Sequence, residues 1–181
     1  MEQFQNALNQ LLKQDAKGLV FDVREDGGGL VAALEKIVDP LLPAGDIATA
    51  TYQDGTTKVL VHSDANELNL PMMVLVNGNT ASAAELFTAS LKDFGKAEVI
   101  GEQTFGKGIM QNTFELPDGG AVTLTVATYQ TTKGECYHGV GITPDVIMEE
   151  DYEKVDFDHP NPEQDAQLKQ AMELLQSKIS S

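Results

Sequence analysis

Apolar Phe4, Leu8, Leu11 and Leu12 recur at helical spacing through residues 2–13, so the chain is expected to open with a helix. Lys17-Gly18 interrupts that pattern, and the β-prone run Leu19-Val20-Phe21 begins a strand over 19–23. Three consecutive glycines, Gly27 to Gly29, follow Asp22-Val23-Arg24-Glu25-Asp26, and an amphipathic stretch then runs to Val38, ahead of Pro40. The order is strand, glycine-rich loop, helix. Residues 46–52 and 57–62 read as a hairpin around Asp54-Gly55, a strong short-range turn. Met72-Met73-Val74-Leu75-Val76 is apolar at every position, as a strand covered on both faces requires. Asn77-Gly78-Asn79-Thr80 ends it, and a helix is expected from Ala81 to Asp93, closed by Gly95. Val99-Ile100 makes a further short strand, and residues 109–116 and 121–130 make a second hairpin around Pro117-Asp118-Gly119-Gly120. An acidic stretch from Glu149 to Asp165 precedes a terminal helix over Ala166–Ile179, whose apolar stripe is expected at Leu168, Met172, Leu175 and Ile179.

Buried strands alternating with helices, with antiparallel hairpins added, predict a single α/β domain over residues 1–181. Its core is expected over about 18–147, with the acidic segment and terminal helix at 149–181. Charge narrows the partners. With 28 Asp and Glu against 12 Lys and Arg, the formal net charge is −16, and no basic cluster exists to neutralise phosphates. Nucleic acid and anionic membrane surfaces are therefore excluded as partners. No apolar run approaches the roughly 18 residues of a spanning helix, and the opening segment has neither the basic nor the apolar region of a signal peptide. The chain is then either cytoplasmic or a piece of a longer, exported precursor. The single cysteine, Cys136, excludes an internal disulfide and a cysteine-based zinc site, and His62, His138 and His159 are scattered.

Three segments have residue types suited to chemistry. The glycine turn at 27–29 lets backbone N–H groups approach a ligand, and the following helix start favours a phosphate or a developing oxyanion. Its spacing is neither GxGxxG nor a P-loop, and spacing alone favours a plain strand-to-helix turn. In Asn79-Thr80-Ala81-Ser82-Ala83-Ala84-Glu85, Ser82 falls in the first turn of a helix directly after a buried strand. Its hydroxyl can face a cleft while the Ala83 N–H points at an oxyanion, although Ser82-x-x-Glu85 is also a capping box. The GxSxG of the α/β-hydrolases is missing, so that fold's nucleophile elbow is not expected. In Gly101-Glu102-Gln103-Thr104-Phe105-Gly106-Lys107-Gly108-Ile109-Met110-Gln111 the glycines disfavour a helix, and period-two alternation puts Lys107 and Gln111 on one face of an extended segment. A lysine serves as a base only after losing its proton, whose ordinary pKa of about 10.4 desolvation can lower. An exposed loop lysine is the alternative. No Ser-His-Asp triad is legible.

These blocks, together with Gly141-Ile142-Thr143-Pro144-Asp145-Val146, resemble the carboxy-terminal processing peptidases, the tail-specific serine proteases of family S41. The family's pattern is roughly DLRxNxGG, SASAxE, GExTxGKGxxQ and GIxPD, met here in the same order across residues 18–147. The resemblance implies a crotonase/Clp-protease-like β-α spiral and a Ser/Lys dyad assisted by glutamine. By position, Ser82 falls on the nucleophile, Lys107 on the general base and Gln111 on the residue orienting the lysine. The N–H of Ala83, with that of Gly28 or Gly29, would hold the oxyanion, and Glu85 is a supporting residue or a helix cap. Asp22 and Arg24 fall in the DLR block, where bracing of the glycine turn is implied. No metal or cofactor is implied, and the partner is a protein or peptide substrate.

The departures from the family pattern carry expectations of their own. Glu25 and Asp26 replace a polar-amide pair, putting negative charge beside the implied oxyanion site. Neither the family's PDZ domain nor the strand ahead of its first helix is found before residue 18. An unpaired sheet edge and the terminal helix's stripe then predict at least a dimer, and the family implies an extracytoplasmic parent protein. Two rival readings are a crotonase-like acyl-CoA enzyme, which would want cations for the CoA phosphates, and a catalytically idle interaction or scaffold module of the same fold.

Overall fold

A computed structural model describes residues 2–64 and 67–180; Met1 and Ser181, the end points of the expected 1–181 unit, lie outside the described residues. In chain order the elements are α1 (Glu2–Lys13), β1 (Leu19–Asp22), α2 (Val31–Val38), β2 (Gly45–Tyr52), β3 (Thr57–Ser63), β4 (Met72–Val76), α3 (Ala83–Asp93), β5 (Ala97–Gly101), β6 (Ile109–Glu115), β7 (Ala121–Thr131), β8 (Val146–Ile147) and α4 (Ala166–Ile179). A single 3-10 turn at Asp39–Leu41, with Pro40 inside it, ends α2. Among the described residues no helix is long and apolar enough to cross a membrane.

Two four-stranded sheets divide the strands, giving the α/β class that the alternation predicts. One is parallel, in the order β1-β4-β5-β8, and the other is antiparallel, in the order β3-β2-β7-β6. Strand β4 is buried at all five positions. Its Met72, Val74 and Val76 join Leu86 and Phe87 of α3 on one face, and its Met73 and Leu75 meet Ile100 of β5 with Ala171 and Leu175 of α4 on the other. This two-sided burial is why the segment lacks any polar alternation. Helix α3 also packs on β2 and β7, so it lies between the two sheets. Strand β8, two residues long, was not legible as a strand; it completes the parallel sheet by pairing Val146 with Ile100.

The terminal helix has the expected bounds, but its buried face is shifted. Gln167, Ala171 and Leu175 are buried, whereas Met172 and Ile179 of the expected stripe are exposed. A buried polar network decides this orientation. Asp165 caps α4 by accepting from the Leu168 N–H at 2.8 Å, and its two oxygens accept from Nη1 and Nη2 of Arg24 at 3.1 and 2.6 Å. Arg24 also grips Asp22 through Nε and Nη2 at 2.9 and 2.6 Å and donates to Gln167 Oε1 at 3.2 Å. One guanidinium thus ties the end of β1 to the start of α4. Burial alone would lower the Arg24 pKa, but the hydrogen bonds and charges of Asp22 and Asp165 outweigh it and raise the pKa.

Candidate active site

Five residues carry the chain from the end of β4 to Ser82, which stands at the N-cap of α3 rather than in its first turn, with φ 59° and ψ −120°. A serine at positive φ is strained by about 1–3 kcal/mol. The neighbouring backbone holds it there. The Ser82 N–H donates to Glu85 Oε2 at 2.9 Å, the Ala81 N–H to the Asp26 carbonyl at 2.9 Å, and the Phe105 N–H to the Thr80 carbonyl at 3.0 Å. Thr80 Oγ1 donates to the Val23 carbonyl at 2.8 Å, fastening this loop to the segment after β1. A strained strand-to-helix serine turn is therefore present although the GxSxG sequence is not.

The glycine turn lies directly against this serine. Gly28 has φ +90°, and a Cβ there would stand 2.6 Å from both the Ala81 carbonyl oxygen and the Ala83 nitrogen, so only glycine fits. The Ala83 N–H has no acceptor among the described residues. Gly28 differs from that expectation of a free donor: its N–H donates to Asp26 Oδ1 at 2.8 Å. Gly29 is exposed at the edge of the turn. The negative charge expected of Glu25 is taken up locally, because its carboxylate accepts from Asn77 Nδ2 at 2.6 Å and from Asn79 Nδ2 at 2.9 and 3.0 Å. Beside the turn, a cavity of about 410 Å³ opens between Phe21, Leu30, Leu34, Ala83 and Phe87.

Glu85 turns out to be the hub of the site. It is 0% exposed, and its carboxylate accepts four hydrogen bonds. Oε1 takes Thr104 Oγ1 and the Gly106 N–H, each at 2.6 Å, and Oε2 takes the Ser82 N–H at 2.9 Å and the Lys107 N–H at 2.7 Å. The capping half of its expected role is present, but the same carboxylate also fixes the lysine loop. Thr104 Oγ1 in turn accepts the Ile142 N–H at 2.7 Å, which brings the segment around Gly141-Ile142 onto the same hub.

Lys107 is half-buried, and no hydrogen bond joins its Nζ to Ser82 Oγ or to any other described group. Gln111 lies on β6, exposed and unbonded to Lys107. The pairing of β6 with β7 shifts register between Met110 and Gln111. The extra residue at that shift is Val126 of β7, so β6 itself runs on without a bulge. The Ser82 hydroxyl instead meets Tyr129, whose Oη lies 3.4 Å from Ser82 Oγ and donates to the Lys107 carbonyl at 2.8 Å. Nothing in the alternation of β7 distinguishes that tyrosine from a core residue. His62 pairs with Asp46, His159 with Asp156, and His138 sits 3.2 Å from the Gly106 carbonyl oxygen, so none reaches the serine. Among the described residues, no group of three His, Cys, Asp or Glu could hold a metal ion.

A strained serine, a free helix-start N–H beside it and a lysine loop fastened to the same carboxylate thus come together at one place, and the family follows from comparison. The model of peptidase family S41 matches residues 1–148, and the chain belongs to that family. It is 36% identical over 170 residues to the carboxyl-terminal-processing protease of Synechocystis sp., covering 94% of this chain and 39% of the relative. It is 38% identical over 154 residues to the carboxy-terminal processing protease CtpA of Bacillus subtilis, covering 84% of this chain and 33% of the relative. The solved photosystem II D1 C-terminal processing protease superposes with a TM-score of 0.74 at 39% identity, over 80% of this chain and 38% of that one. The chain therefore spans less than two fifths of the length of each of these proteins.

Proposed function

We propose that this chain is the catalytic part of a serine endopeptidase that cuts protein substrates near their C-termini through a Ser82/Lys107 dyad. The observation carrying this reading is that Glu85 Oε2 receives both the Ser82 and the Lys107 backbone N–H, at 2.9 and 2.7 Å, which sets the two residues side by side. Ser82 Oγ would give its proton to Lys107 Nζ and bond to the carbonyl carbon of the scissile peptide. The Ala83 N–H, with that of Gly29 or of a Gly28 released from Asp26, would hold the oxyanion. Collapse breaks the C–N bond, and the departing amine takes the proton from Lys107; water then hydrolyses the acyl-enzyme by the same route in reverse. Gln111 would orient the lysine once its side chain turns inward. This chemistry calls for no metal or cofactor.

Two motions follow from the geometry. The Ser82 hydroxyl has to turn from Tyr129 toward Lys107, and the free lysine amine has to close on it. Family membership also favours an extracytoplasmic parent protein, and the exposed outer edge of the antiparallel sheet favours at least a dimer, which light scattering measures.

The test is a fluorophosphonate probe applied to the chain, with the labelled residue mapped by mass spectrometry. Labelling at Ser82 that disappears in Ser82→Ala and in a folded Lys107→Ala supports the dyad. Acyl-CoA binding without labelling would put a crotonase-like enzyme in its place, and neither response would leave an interaction module.

A further inference from the structure

Tyr129 contacts the lysine loop twice and the nucleophile once. Its backbone N–H donates to the Gly108 carbonyl at 3.0 Å, its hydroxyl donates to the Lys107 carbonyl at 2.8 Å, and the same oxygen stands 3.4 Å from Ser82 Oγ. The residue is 2% exposed, its strand is paired to β2 opposite Ala50, and its ring packs edge-on against Tyr137 at 6.1 Å between centroids. It has no freedom to move away. A phenol has one proton. The carbonyl of Lys107 can only accept, and its contact is the shorter, so that proton lies on the Lys107 side and the phenol oxygen faces the serine with a lone pair. Burial raises the phenol's pKa, against the opposing effect of the Ser82 contact and with a further rise from Glu85, so Tyr129 stays protonated at the pH where a protease works. The titratable groups acting on it are Glu85, Tyr137 and Cys136, and Lys107 lies on the loop it holds.

We propose that Tyr129 is the positioning residue of the nucleophile: it parks the Ser82 hydroxyl by accepting its proton in a hydrogen bond, and it fixes the Lys107 carbonyl so that the lysine amine can reach that serine. Nothing is transferred to the tyrosine. The Ser82 proton leaves for Lys107 when substrate enters, and the Tyr129 bond to the loop persists. The inference rests on the Ser82/Lys107 reading and adds to it the group that sets the distance between the two.

Tyr129→Phe keeps the ring against Tyr137 and removes only the hydroxyl. The maximal rate of fluorophosphonate labelling at Ser82 is expected to fall about tenfold or more while the half-saturating probe concentration changes by less than about twofold. The melting temperature is expected to stay within about 4 °C of the wild type, which separates positioning from loss of fold. Difluorotyrosine in place of Tyr129 serves where the phenylalanine variant does not fold, because it keeps the shape and the hydroxyl while making the phenol more acidic. Its expected mark is a falling limb added to the pH profile of labelling, as the phenol ionises and no longer donates to the Lys107 carbonyl. A folded Tyr129→Phe that labels at the wild-type rate, or an unaltered pH profile in the difluorotyrosine protein, overturns the inference and leaves the dyad standing. A wild-type chain that does not label at Ser82 removes both.

Discussion

The serine side of the site is tied down by side chain and main chain alike, whereas the lysine side is held by its backbone alone. Ser82 comes after β4, the strand buried on both faces at the centre of the parallel sheet, and the loop carrying it is bonded to the glycine turn, to Phe105 and to Glu85. Lys107 precedes β6, the outer strand of the antiparallel sheet, where Phe114 is 46% and Leu124 of the neighbouring β7 51% exposed. Its N–H and carbonyl are fixed by Glu85 and Tyr129, but its amine bonds nothing among the described residues. The difference is one of leverage. A central parallel strand orders the loop at its end through packing on both faces, while an edge strand gives the last torsions of a lysine nothing to pack against. In the proposed dyad the nucleophile would accordingly be preset, and the base would be completed by closure of its own side chain.

The comparison predicts that substitutions on the buried side cost stability and those on the lysine side do not. Asp165→Ala, which strips Arg24 of its partner across β1 and α4, is expected to destabilise the fold by about 3–5 kcal/mol, measured by denaturant unfolding. The same pair gives a pH dependence. Burial pushes the Asp165 pKa up, but the hydrogen bonds from Arg24 and the Leu168 N–H and the Arg24 charge outweigh it, so the folded pKa is lowered. The stabilisation from Asp165 is therefore complete above the ordinary aspartate value of about 3.9 and is lost as pH falls through the lower folded value. Unfolding curves of wild type and Asp165→Asn should converge in that acidic window and diverge above it.

Glu85→Gln is the next largest change. An amide puts an NH₂ where two of the four donors now meet an oxygen, so a loss of about 2–4 kcal/mol is expected, with slower labelling at Ser82. Unchanged stability would mean that the shared carboxylate does not bind the two halves together. Asp26→Ala works in the other direction. It frees the Gly28 N–H and removes a negative charge beside the proposed oxyanion site, so labelling should speed up by about threefold, equivalent to roughly 0.7 kcal/mol. A slower Asp26→Ala would show that the turn needs this carboxylate for its shape. Gln111→Ala is the smallest. An exposed, unbonded side chain should contribute less than about 0.5 kcal/mol to stability, and a larger change in the melt would place Gln111 in a packed conformation.

Local pattern was enough for most of the elements and for several residues of the candidate site. The bounds of α1 and α4, the two hairpins and the buried β4 are legible from spacing and turn residues, because each is fixed by contacts a few positions apart. Glu85 was visible as a cap, since a capping box is a local motif, and Gly28 was visible as a close-approach glycine. Tyr129 was not, because a tyrosine inside an alternating strand reads as core, and only the placement of β7 against α3 aims its hydroxyl at Ser82.

The same division holds for the whole chain. By itself the sequence determined the class of fold, the order of the four motif blocks and the candidates Ser82, Lys107 and Gln111, all of which depend on residue type and short-range spacing. Tertiary structure decided which of these meet. It placed the Ser82 and Lys107 backbones on one Glu85 oxygen, the latter across 22 residues of chain, turned α4 by pairing Asp165 with Arg24 across 141, and left Gln111 exposed on the outer strand β6. Those outcomes depend on the alignment of distant segments, which is set by how two sheets pack around one helix and leaves no periodic mark in the sequence.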